Sequence, residues 1–506
     1  MTMMTSIKQS ARDSFVYSLG NMAVKVVGFI LIPLYTNPEY FSVEDFGIMT
    51  LLDLSSLVLI SLMASALPQS LVRWYWDRDH ADHRKEIFFM SLTVQAAISL
   101  LFVFLLYPLA GQISLVLFKT AGWSSTIKLM ILATALQALN NIINMLMRVQ
   151  SKPLLYTATN LLKLVVVLFL TLFLITQRGA GIKGIYIAQV AGNLLFILLL
   201  AGYAVRNCSP SFNFKILRAM TGYGFPLMLG NFAAAILAAI DRYSLNSLTL
   251  LKFVAIYSLA YKIASVLKLV IADSVKMALA PLIIKKIDTP GDKRFYSKTL
   301  TYSSFVLMAG IIGISLFSYE IIRLIARSDA FWEAYLLVPL LSVSVFLANM
   351  RETTNYGLII RKKTGIISAV VVFSGILNIL LNILLIPLFD VMGAASAGIA
   401  TNLVYWFAIY YFSQKSYYIP YELKKVLVLF ITGIVLSFSG LLLNDISIIP
   451  RLLLKTGILA CFPFILRLFG FYEPVELQVI KGLFTKWSDL KKLGTNIRML
   501  LEENDK

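Results

Sequence analysis

Long apolar segments joined by short linkers constrain this chain more than any other feature of its sequence. About fourteen of these segments come near the roughly 20 residues that a helix needs to cross a bilayer. Because every backbone polar group in a bilayer needs an internal partner, segments of this length are predicted to be helices. Charged residues make up only 14% of the chain, against about 25% in ordinary soluble domains. The sequence therefore predicts an all-α polytopic membrane protein without a large soluble domain. The predicted spans are residues 14–35, 47–70, 87–110, 124–147, 154–176, 182–205, 223–245, 253–283, 302–317, 331–349, 366–389, 393–412, 426–443 and 448–469.

Lys and Arg residues are distributed unevenly between alternate linkers of this pattern. If the amino terminus is cytoplasmic, the inner linkers carry about three times as many of them as the outer linkers, which is the bias that orients membrane proteins. We therefore expect both termini in the cytoplasm. A basic face toward anionic inner-leaflet lipids accounts for the formal net charge of +19, so no nucleic-acid partner is expected.

The two halves of the chain resemble each other at a spacing of 208 to 210 residues. Gly20-Asn21 recurs as Gly230-Asn231, and Phe46-Gly-Ile-Met-Thr-Leu51 resembles Val254-Ala-Ile-Tyr-Ser-Leu259. A constant spacing over six spans indicates an internal repeat, and transporters with such repeats bind substrate near the midplane between them. The predicted domains are six-helix bundles at residues 1–210 and 211–418, two further spans at 419–470 and a basic cytoplasmic tail at 471–506.

Several motifs of the chain resemble those of a known family. They are Leu31-Ile-Pro-Leu-Tyr35, Phe41-Ser-Val-Glu-Asp-Phe-Gly47, Leu67-Pro-Gln-Ser-Leu-Val-Arg73, Gly224-Phe-Pro226, Asp241-Arg242 and Ile256-Tyr-Ser-Leu-Ala-Tyr-Lys262. On these motifs, residues from about Ser14 to Gln414 are similar to the bacterial polysaccharide flippases, which export O-antigen or capsule repeat units and belong to the MOP superfamily. The resemblance implies two six-helix bundles around a central cavity.

The same resemblance implies a function and partners. The substrate would be an undecaprenyl-pyrophosphate-linked oligosaccharide, moved from the inner to the outer leaflet of the bacterial cytoplasmic membrane. A polysaccharide polymerase complex is a further candidate partner, beside the lipid-linked oligosaccharide and the bilayer. No Walker A motif occurs, so we expect no ATP hydrolysis by this chain; we also expect no enzymatic activity, no cofactor and no metal site.

Cations inside the predicted spans are the candidates for binding the pyrophosphate, because an intramembrane charge is costly and usually functional. Lys268 is the deepest cation of a polar stripe in the eighth span, and Lys25 and Lys163 are its counterparts in the amino-terminal half. Lys262 and Arg242 are further candidates. Amides both donate and accept hydrogen bonds, which suits sugar hydroxyls. The amide candidates are Asn21, Asn141, Asn144, Asn378 and Asn382.

Each of these residues also has a purely structural explanation. The cations could form ion pairs with Asp53, Asp241 or Asp273, and amides in membrane helices often only bond a neighbouring helix. Asp53 lies well inside the amino-terminal half. It is therefore also the candidate for coupling transport to H⁺ or Na⁺.

Three other functions compete with this interpretation. A multidrug cation exporter of the same superfamily would favour acidic residues at the midplane, where Lys dominates in this chain. A glycan polymerase or glycosyltransferase would favour a large outer loop, whereas the outer linkers are mostly short. A lipid II flippase is hard to separate from the first interpretation, because both substrates contain a pyrophosphate.

Overall fold

The computed structural model describes residues 28–272 and 289–478, together with residues 274, 283 and 287. Every regular element in these ranges is helical. The α-helices are α1 (Ile32–Tyr35), α2 (Val43–Met63), α3 (Leu67–Tyr75), α4 (Arg84–Leu106), α5 (Ala110–Phe118), α6 (Ser124–Val149), α7 (Pro153–Thr176), α8 (Gly181–Arg206), α9 (Phe214–Leu248), α10 (Leu251–Leu267), α11 (Asp292–Leu316), α12 (Ser318–Ile325), α13 (Leu337–Thr354), α14 (Tyr356–Ile360), α15 (Thr364–Ser416), α16 (Leu423–Ser439) and α17 (Ile448–Leu468). A π-helical turn, Lys268–Ala272, continues α10, and 3₁₀ segments lie at Arg78–His83, Asp329–Leu336 and Gly440–Leu443.

Twelve helices in the described part of the chain are long and apolar enough to cross a membrane. This confirms the predicted all-α polytopic membrane fold. One of the twelve, Gly365–Ser416, covers two predicted spans. Asp390 (φ 48°, ψ −126°) interrupts its helical geometry between those two spans. Every predicted span after the first overlaps a described helix. The first, residues 14–35, lies mostly outside the described residues.

Tertiary contacts divide the chain into two compact units. The first unit comprises Met1–Ser274 and Ser318–Tyr418, and the second comprises Val275–Phe317 and Ile419–Lys506. The second unit contains α11, α16 and α17, and the first contains the other helices. The division into bundles at residues 1–210 and 211–418 remains a prediction.

The linkers of the first unit lie at two ends, because its long helices alternate in direction. At one end, Gln150 Nε2 donates to the Tyr75 hydroxyl (3.0 Å) and to Asn207 Oδ1 (2.7 Å). We call this the basic end, since it holds the Lys- and Arg-rich linkers that were predicted to be cytoplasmic. At the opposite end, the Thr36 hydroxyl accepts a hydrogen bond from the Arg327 backbone N–H (3.1 Å).

Local sequence signals fix both ends of α2. Its first turn is closed by a capping box, in which the Asp45 N–H donates to Ser42 Oγ (3.0 Å) and the Ser42 N–H donates to Asp45 Oδ2 (2.9 Å), so two otherwise unpaired donors are satisfied. At its other end, Ser65 and Ala66 adopt positive φ values of 47° and 54°. Pro68 then follows in the first turn of α3, where its missing N–H costs nothing.

In the second unit, a lysine on α11 links the residues just before α16 to those just after α17. The Lys298 ammonium, on α11, donates to Glu422 Oε1 (3.1 Å), to Glu473 and to Glu476 Oε1 (3.4 Å). Glu422 precedes α16, whereas Glu473 and Glu476 follow α17. The hydrogen bond from Lys298 holds the pKa of the Glu473 carboxyl below its usual range. Because only 14% of the Lys298 side chain is exposed, salt screens these pairs less than it screens surface pairs.

We expect Lys298→Met to lower the unfolding temperature of the purified protein in detergent. Among the described residues, Lys298 alone bonds all three carboxylates, whereas Lys425 contacts only Glu422 and Glu473. Hydrogen bonds to charged groups contribute about 1.5–3 kcal/mol each. Lys424→Met is the matched control, because Lys424 lies on α16 but is exposed. An unchanged unfolding temperature for Lys298→Met would contradict the role given to this cluster.

The same cluster predicts a dependence on pH. A carboxyl group with a lowered pKa in the folded state stabilises the protein above its unfolded-state pKa, and this contribution is lost as the pH falls through the folded-state pKa. The difference in unfolding temperature between the unsubstituted protein and Lys298→Met should therefore shrink as the pH falls through that range. A difference that stays constant would contradict the assignment to Glu473.

Candidate substrate cavity

A cavity of about 810 Å³ lies in the first unit, among α2, α3, α6, α7, α8 and α9. Its lining runs from Gln189, in the interior of α8, to Arg148 and Tyr156 near the basic end. The polar residues of the lining are Ser56, Ser61, Gln69, Thr134, Gln137, Asn141, Asn144, Arg148, Tyr156, Asn160, Lys163, Gln189, Asn193 and Asn231. Two of these described residues are cations and none is a carboxylate.

Helix α6 supplies the densest polar stripe of the cavity. Gln137, Asn141, Asn144 and Arg148 recur at intervals of three or four residues, which places them on one helix face. Gln137 Nε2 donates to Asn141 Oδ1 (3.2 Å), and Asn160 Nδ2 on α7 donates to Asn144 Oδ1 (2.8 Å). A side-chain amide has two donor hydrogens and two acceptor lone pairs. The stripe therefore has hydrogen-bonding capacity for a ligand beyond these two bonds.

A buried pair of amides holds α8 against α6 behind this stripe. Asn140 Nδ2 donates to Asn193 Oδ1 (2.9 Å), and Asn193 Nδ2 donates to the carbonyl oxygen of Ala133 (3.1 Å). Both amide side chains are buried. These bonds fix the orientation of Asn193, whose Oδ1 also accepts a hydrogen bond from Lys163 Nζ (3.5 Å).

Lys163 contributes a positive charge to the cavity from α7. Its Nζ donates to Gln137 Oε1 (3.3 Å) as well as to Asn193, and it lies 5.3 Å from the centroid of the Phe196 ring. In the described ranges no carboxylate interacts with this ammonium. A cation that is surrounded by neutral groups in a medium of low dielectric attracts an anion strongly.

Gly192 allows α7 to pack against α8 beside Lys163. A Cβ atom at Gly192 would overlap Val167 Cγ2 and would lie 3.5 Å from Lys163 Cγ. Val167 is β-branched, so its side chain has little rotamer freedom with which to move away. A glycine at this position therefore sets the distance between the two helices that carry Lys163 and Asn193.

Arg148 is the second cation of the cavity and lies near the basic end. Its Nη2 donates to the Tyr156 hydroxyl (2.8 Å), and its guanidinium carbon lies 4.9 Å from the centroid of the same ring. A cation over an aromatic face is stabilised by the ring quadrupole. This contact orients the guanidinium at the cavity lining.

The predicted amides of the carboxyl-terminal half lie in a different, buried cluster on α9, α10 and α15. Asp241 Oδ1 accepts from Asn382 Nδ2 (3.0 Å), and Asp241 Oδ2 accepts from the Tyr257 hydroxyl (2.8 Å). Asn382 Nδ2 also donates to Asn378 Oδ1 (2.9 Å), and Asn378 Nδ2 donates to Thr401 Oγ1 (3.1 Å). The bond from Asn382 to Asp241 joins α15 to α9, which matches the structural alternative for amides in membrane spans.

Three predicted cations lie apart from the cavity lining. Arg242 is buried, with its guanidinium 3.8 Å from the centroid of the Tyr261 ring. Lys262 Nζ lies 4.9 Å from the centroid of the Phe46 ring. Lys268 Nζ lies 3.7 Å from Glu352 Oε1, and 44% of the Lys268 side chain is exposed.

The structure thus brings together only some of the predicted site residues. Lys163, Asn141 and Asn144 line one cavity, whereas Asn21 and Lys25 fall outside the described residues. The other polar residues of the lining, among them Ser56, Ser61, Gln69 and Arg148, are not among the predicted site residues. The two serines lie inside a predicted span, and hydroxyl groups at that depth were the available signal.

Asp53 lies one helical turn from Ser56 toward the opposite end, on the same side of α2. Its Oδ1 accepts a hydrogen bond from the Tyr186 hydroxyl on α8 (3.0 Å), and its side chain is exposed. Asp53 is therefore an accessible carboxylate in the interior of a span, next to the cavity lining.

The all-helical fold of this chain is similar to the folds of several solved membrane transport proteins. The lipid II flippase MurJ, in an inward closed conformation, superposes with a TM-score of 0.72 at 15% identity, over 89% of this chain and 98% of that one. An outward-facing multidrug resistance MATE transporter superposes with a TM-score of 0.62 at 14% identity, over 81% of this chain and 95% of that one. A MOP superfamily transporter from Pyrococcus furiosus, described as having a binding pocket of reverse polarity, gives 0.55 at 15% identity, over 81% and 95%. At these identities the similarity shows the fold alone.

A match between the sequence and a family model identifies the family of this chain. The family model described as polysaccharide biosynthesis protein matches residues 10–286, which is more than half of the chain, and the chain belongs to this family. No curated protein matches the sequence.

We expect Gly192→Ala to lower the unfolding temperature, because the added methyl group meets Val167 in a packed helix contact. Overpacking of this kind costs about 1–3 kcal/mol. Gly202→Ala is the matched control, because Gly202 lies on the same helix and a Cβ atom there would meet no neighbouring atom within 4 Å. Gly192→Ala combined with Val167→Ala should recover stability, and equal losses in the single and double variants would contradict this packing argument.

Proposed function

We propose that this protein is a flippase that moves an undecaprenyl-pyrophosphate-linked oligosaccharide repeat unit across the bacterial cytoplasmic membrane. The observation that supports this most directly is the composition of the cavity lining. In the part of the chain that is described, this lining contains Lys163, Arg148, several amides and no carboxylate. An anionic pyrophosphate with a polyhydroxyl glycan is the substrate class that such a surface complements.

The two cations suggest a path for the pyrophosphate. Arg148 contacts Tyr156, and Lys163 lies seven residues further along α7, which is about 10 Å at 1.5 Å per residue. One pyrophosphate is too short to bridge groups so far apart. We therefore propose that it binds Arg148 near the basic end first and Lys163 afterwards.

The amides would bind the glycan while the cations bind the pyrophosphate. Asn141, Asn144 and Asn160 lie between the two cations along the cavity, and their donors and acceptors suit sugar hydroxyls. Asn21 and Lys25, on the first predicted span, would extend this surface in the amino-terminal half. Lys268, Arg242, Asn378 and Asn382 remain candidates in the other half, for contacts made after the helices rearrange.

Alternating access would supply the movement. Contacts between the predicted halves close the opposite end, for example between Phe46 and Phe331, whose ring centroids are 5.3 Å apart. The cavity lining meanwhile reaches the basic end through Arg148 and Gln69. With the basic end in the cytoplasm, this arrangement would load substrate from the inner leaflet. Asp53 would couple the cycle to an ion.

We expect Lys163→Met to reduce transport of a lipid-pyrophosphate oligosaccharide in proteoliposomes by about tenfold or more. The reason is that a hydrogen bond to a charged group is worth about 1.5–3 kcal/mol. Lys163→Arg keeps the charge and should retain part of the activity. Lys183→Met is the matched control, since Lys183 on α8 is exposed near the opposite end.

The same assay separates the competing functions. Lipid II and a fluorescent organic cation are tested in parallel with the oligosaccharide substrate. Transport of lipid II alone would favour a lipid II flippase, and transport of the organic cation alone would favour a multidrug exporter. Full transport of the oligosaccharide by Lys163→Met would remove Lys163 from the mechanism.

A further inference from the structure

Two pairs of asparagines occupy equivalent positions in the internal repeat. Asn140 on α6 and Asn349 on α13 are 209 residues apart, and so are Asn193 on α8 and Asn402 on α15. This spacing is the one that relates the two predicted halves, so the repeat extends to polar groups inside the spans. Differences between the two pairs therefore mark places where the halves have diverged.

The equivalent residues Asn193 and Asn402 each accept a hydrogen bond from a cation. Lys163 Nζ, on α7, donates to Asn193 Oδ1 (3.5 Å), and Arg351 Nη1, on α13, donates to Asn402 Oδ1 (3.4 Å). The two cations come from helices that are not equivalent in the repeat, yet they bond the same amide oxygen. Arg351 therefore occupies in the carboxyl-terminal half the place that Lys163 occupies in the amino-terminal half.

The partners of these two asparagines differ between the halves. Asn140 Nδ2 donates to Asn193 Oδ1 (2.9 Å). Only 8% of Asn349 is exposed, but its Nδ2 has no hydrogen-bond partner among the described residues. A buried donor without a partner is costly and calls for an explanation. The repeat provides one, because Arg351 bonds the acceptor that corresponds to the acceptor of Asn140.

Arg351 shares a carboxylate with a second cation. Its guanidinium carbon lies 4.2 Å from the centroid of the Tyr405 ring, and its Nη2 lies 3.9 Å from Glu352 Oε1. Lys268 Nζ lies 3.7 Å from the same carboxylate oxygen. Both distances to Glu352 are longer than a hydrogen bond. Two cations thus face one carboxylate, without a direct hydrogen bond to the oxygen that they share.

A phosphate group would satisfy these two cations better than the carboxylate does. It carries up to two negative charges, and its oxygens match the planar fork of an arginine. The site can also be reached, because 44% of the Lys268 side chain and 26% of the Glu352 side chain are exposed. The chemistry that fits is therefore that of a phosphate or pyrophosphate anion.

We propose that Arg351 and Lys268 form a second anion site, which binds a phosphate group, and that the Glu352 carboxylate occupies this site when the phosphate is absent. The phosphate displaces Glu352, and Arg351 turns from Asn402 toward the phosphate oxygens. Asn402 Oδ1 then accepts from Asn349 Nδ2, as the equivalent pair already does in the amino-terminal half. The new amide bond offsets part of the cost of moving Arg351.

The test uses the purified full-length protein in detergent and radiolabelled inorganic pyrophosphate. Arg148→Met and Lys163→Met are introduced first, so that the two described cations of the cavity lining no longer bind the probe. In this background Glu352→Gln should tighten pyrophosphate binding about tenfold. The reason is that a site filled by its own carboxylate about nine-tenths of the time binds an anion about tenfold more weakly than the same site when it is empty.

Three further substitutions show whether the gain comes from this site. Arg351→Met, added to Glu352→Gln, should abolish the gain. Lys363→Met should leave it intact, because Lys363 is an exposed cation at the same end. Asp79→Asn is the matched control for Glu352→Gln, since it removes an exposed carboxylate at the basic end, and it should not change the affinity. A gain of affinity cannot result from misfolding.

A second arm of the experiment identifies the source of the phosphate. A short-chain phosphatidylglycerol replaces pyrophosphate as the probe in the same variants. A gain with pyrophosphate assigns the site to the pyrophosphate of a lipid-linked substrate, and a gain with phosphatidylglycerol alone assigns it to a headgroup of the bilayer. Either gain supports the anion site.

Asn349→Leu tests the exchange of amide partners. Added to Glu352→Gln, it should weaken pyrophosphate binding about threefold, in line with the loss of one hydrogen bond between neutral groups. A residue that served only in packing would not change the affinity for an anion. Unchanged binding in Asn349→Leu would therefore overturn the exchange.

Three outcomes would overturn the anion site itself. One is an affinity for both probes that Glu352→Gln leaves unchanged. Another is a gain that persists when Arg351→Met is added, and the third is an equal gain in Asp79→Asn. The site does not rest on the proposed transport of an oligosaccharide. Because the experiment measures binding alone, its failure can be distinguished from a failure of the transport assay with Lys163→Met.

Discussion

The cost of burying polar groups between membrane helices determines how the first unit is built. Asn140 Nδ2 donates to Asn193 Oδ1, and Asn193 Nδ2 donates to the backbone of α6 at Ala133. Such bonds join helices that lipid cannot hold together by the hydrophobic effect. The same pair orients the amide oxygen that accepts from Lys163. The framework of the unit and the chemistry of its cavity therefore share one set of hydrogen bonds.

The two predicted halves use similar polar residues in different ways. In the amino-terminal half, amides and Lys163 line an open cavity. In the carboxyl-terminal half, Asn378 and Asn382 are buried and bonded around Asp241. Among the described residues, the lining of the first site contains cations and no carboxylate, whereas the second cluster contains Asp241 with Arg242 nearby.

The sequence predicts the spans and the polar faces well, because hydrophobic length and helical periodicity are local properties. Lys163, Asn141 and Asn144 follow from that periodicity. Periodicity does not reveal what covers a face. Asn378 and Asn382 have the same spacing as lining amides, yet Asn382 is bonded to Asp241 and Asn378 to Thr401. The ion pair of Lys268 with Glu352 joins residues far apart in sequence and has no local signal. The spans 366–389 and 393–412 were predicted separately, and the non-helical geometry of Asp390 does separate them.

A closed end that must open again cannot be held by strong bonds alone. The contacts around Gly47 are close in distance but neutral, and a hydrogen bond between neutral groups contributes only about 0.5–1.5 kcal/mol. Contacts of this strength can be broken at a modest cost in free energy, so a helix contact as close as that of Gly47 with Leu251 need not be permanent.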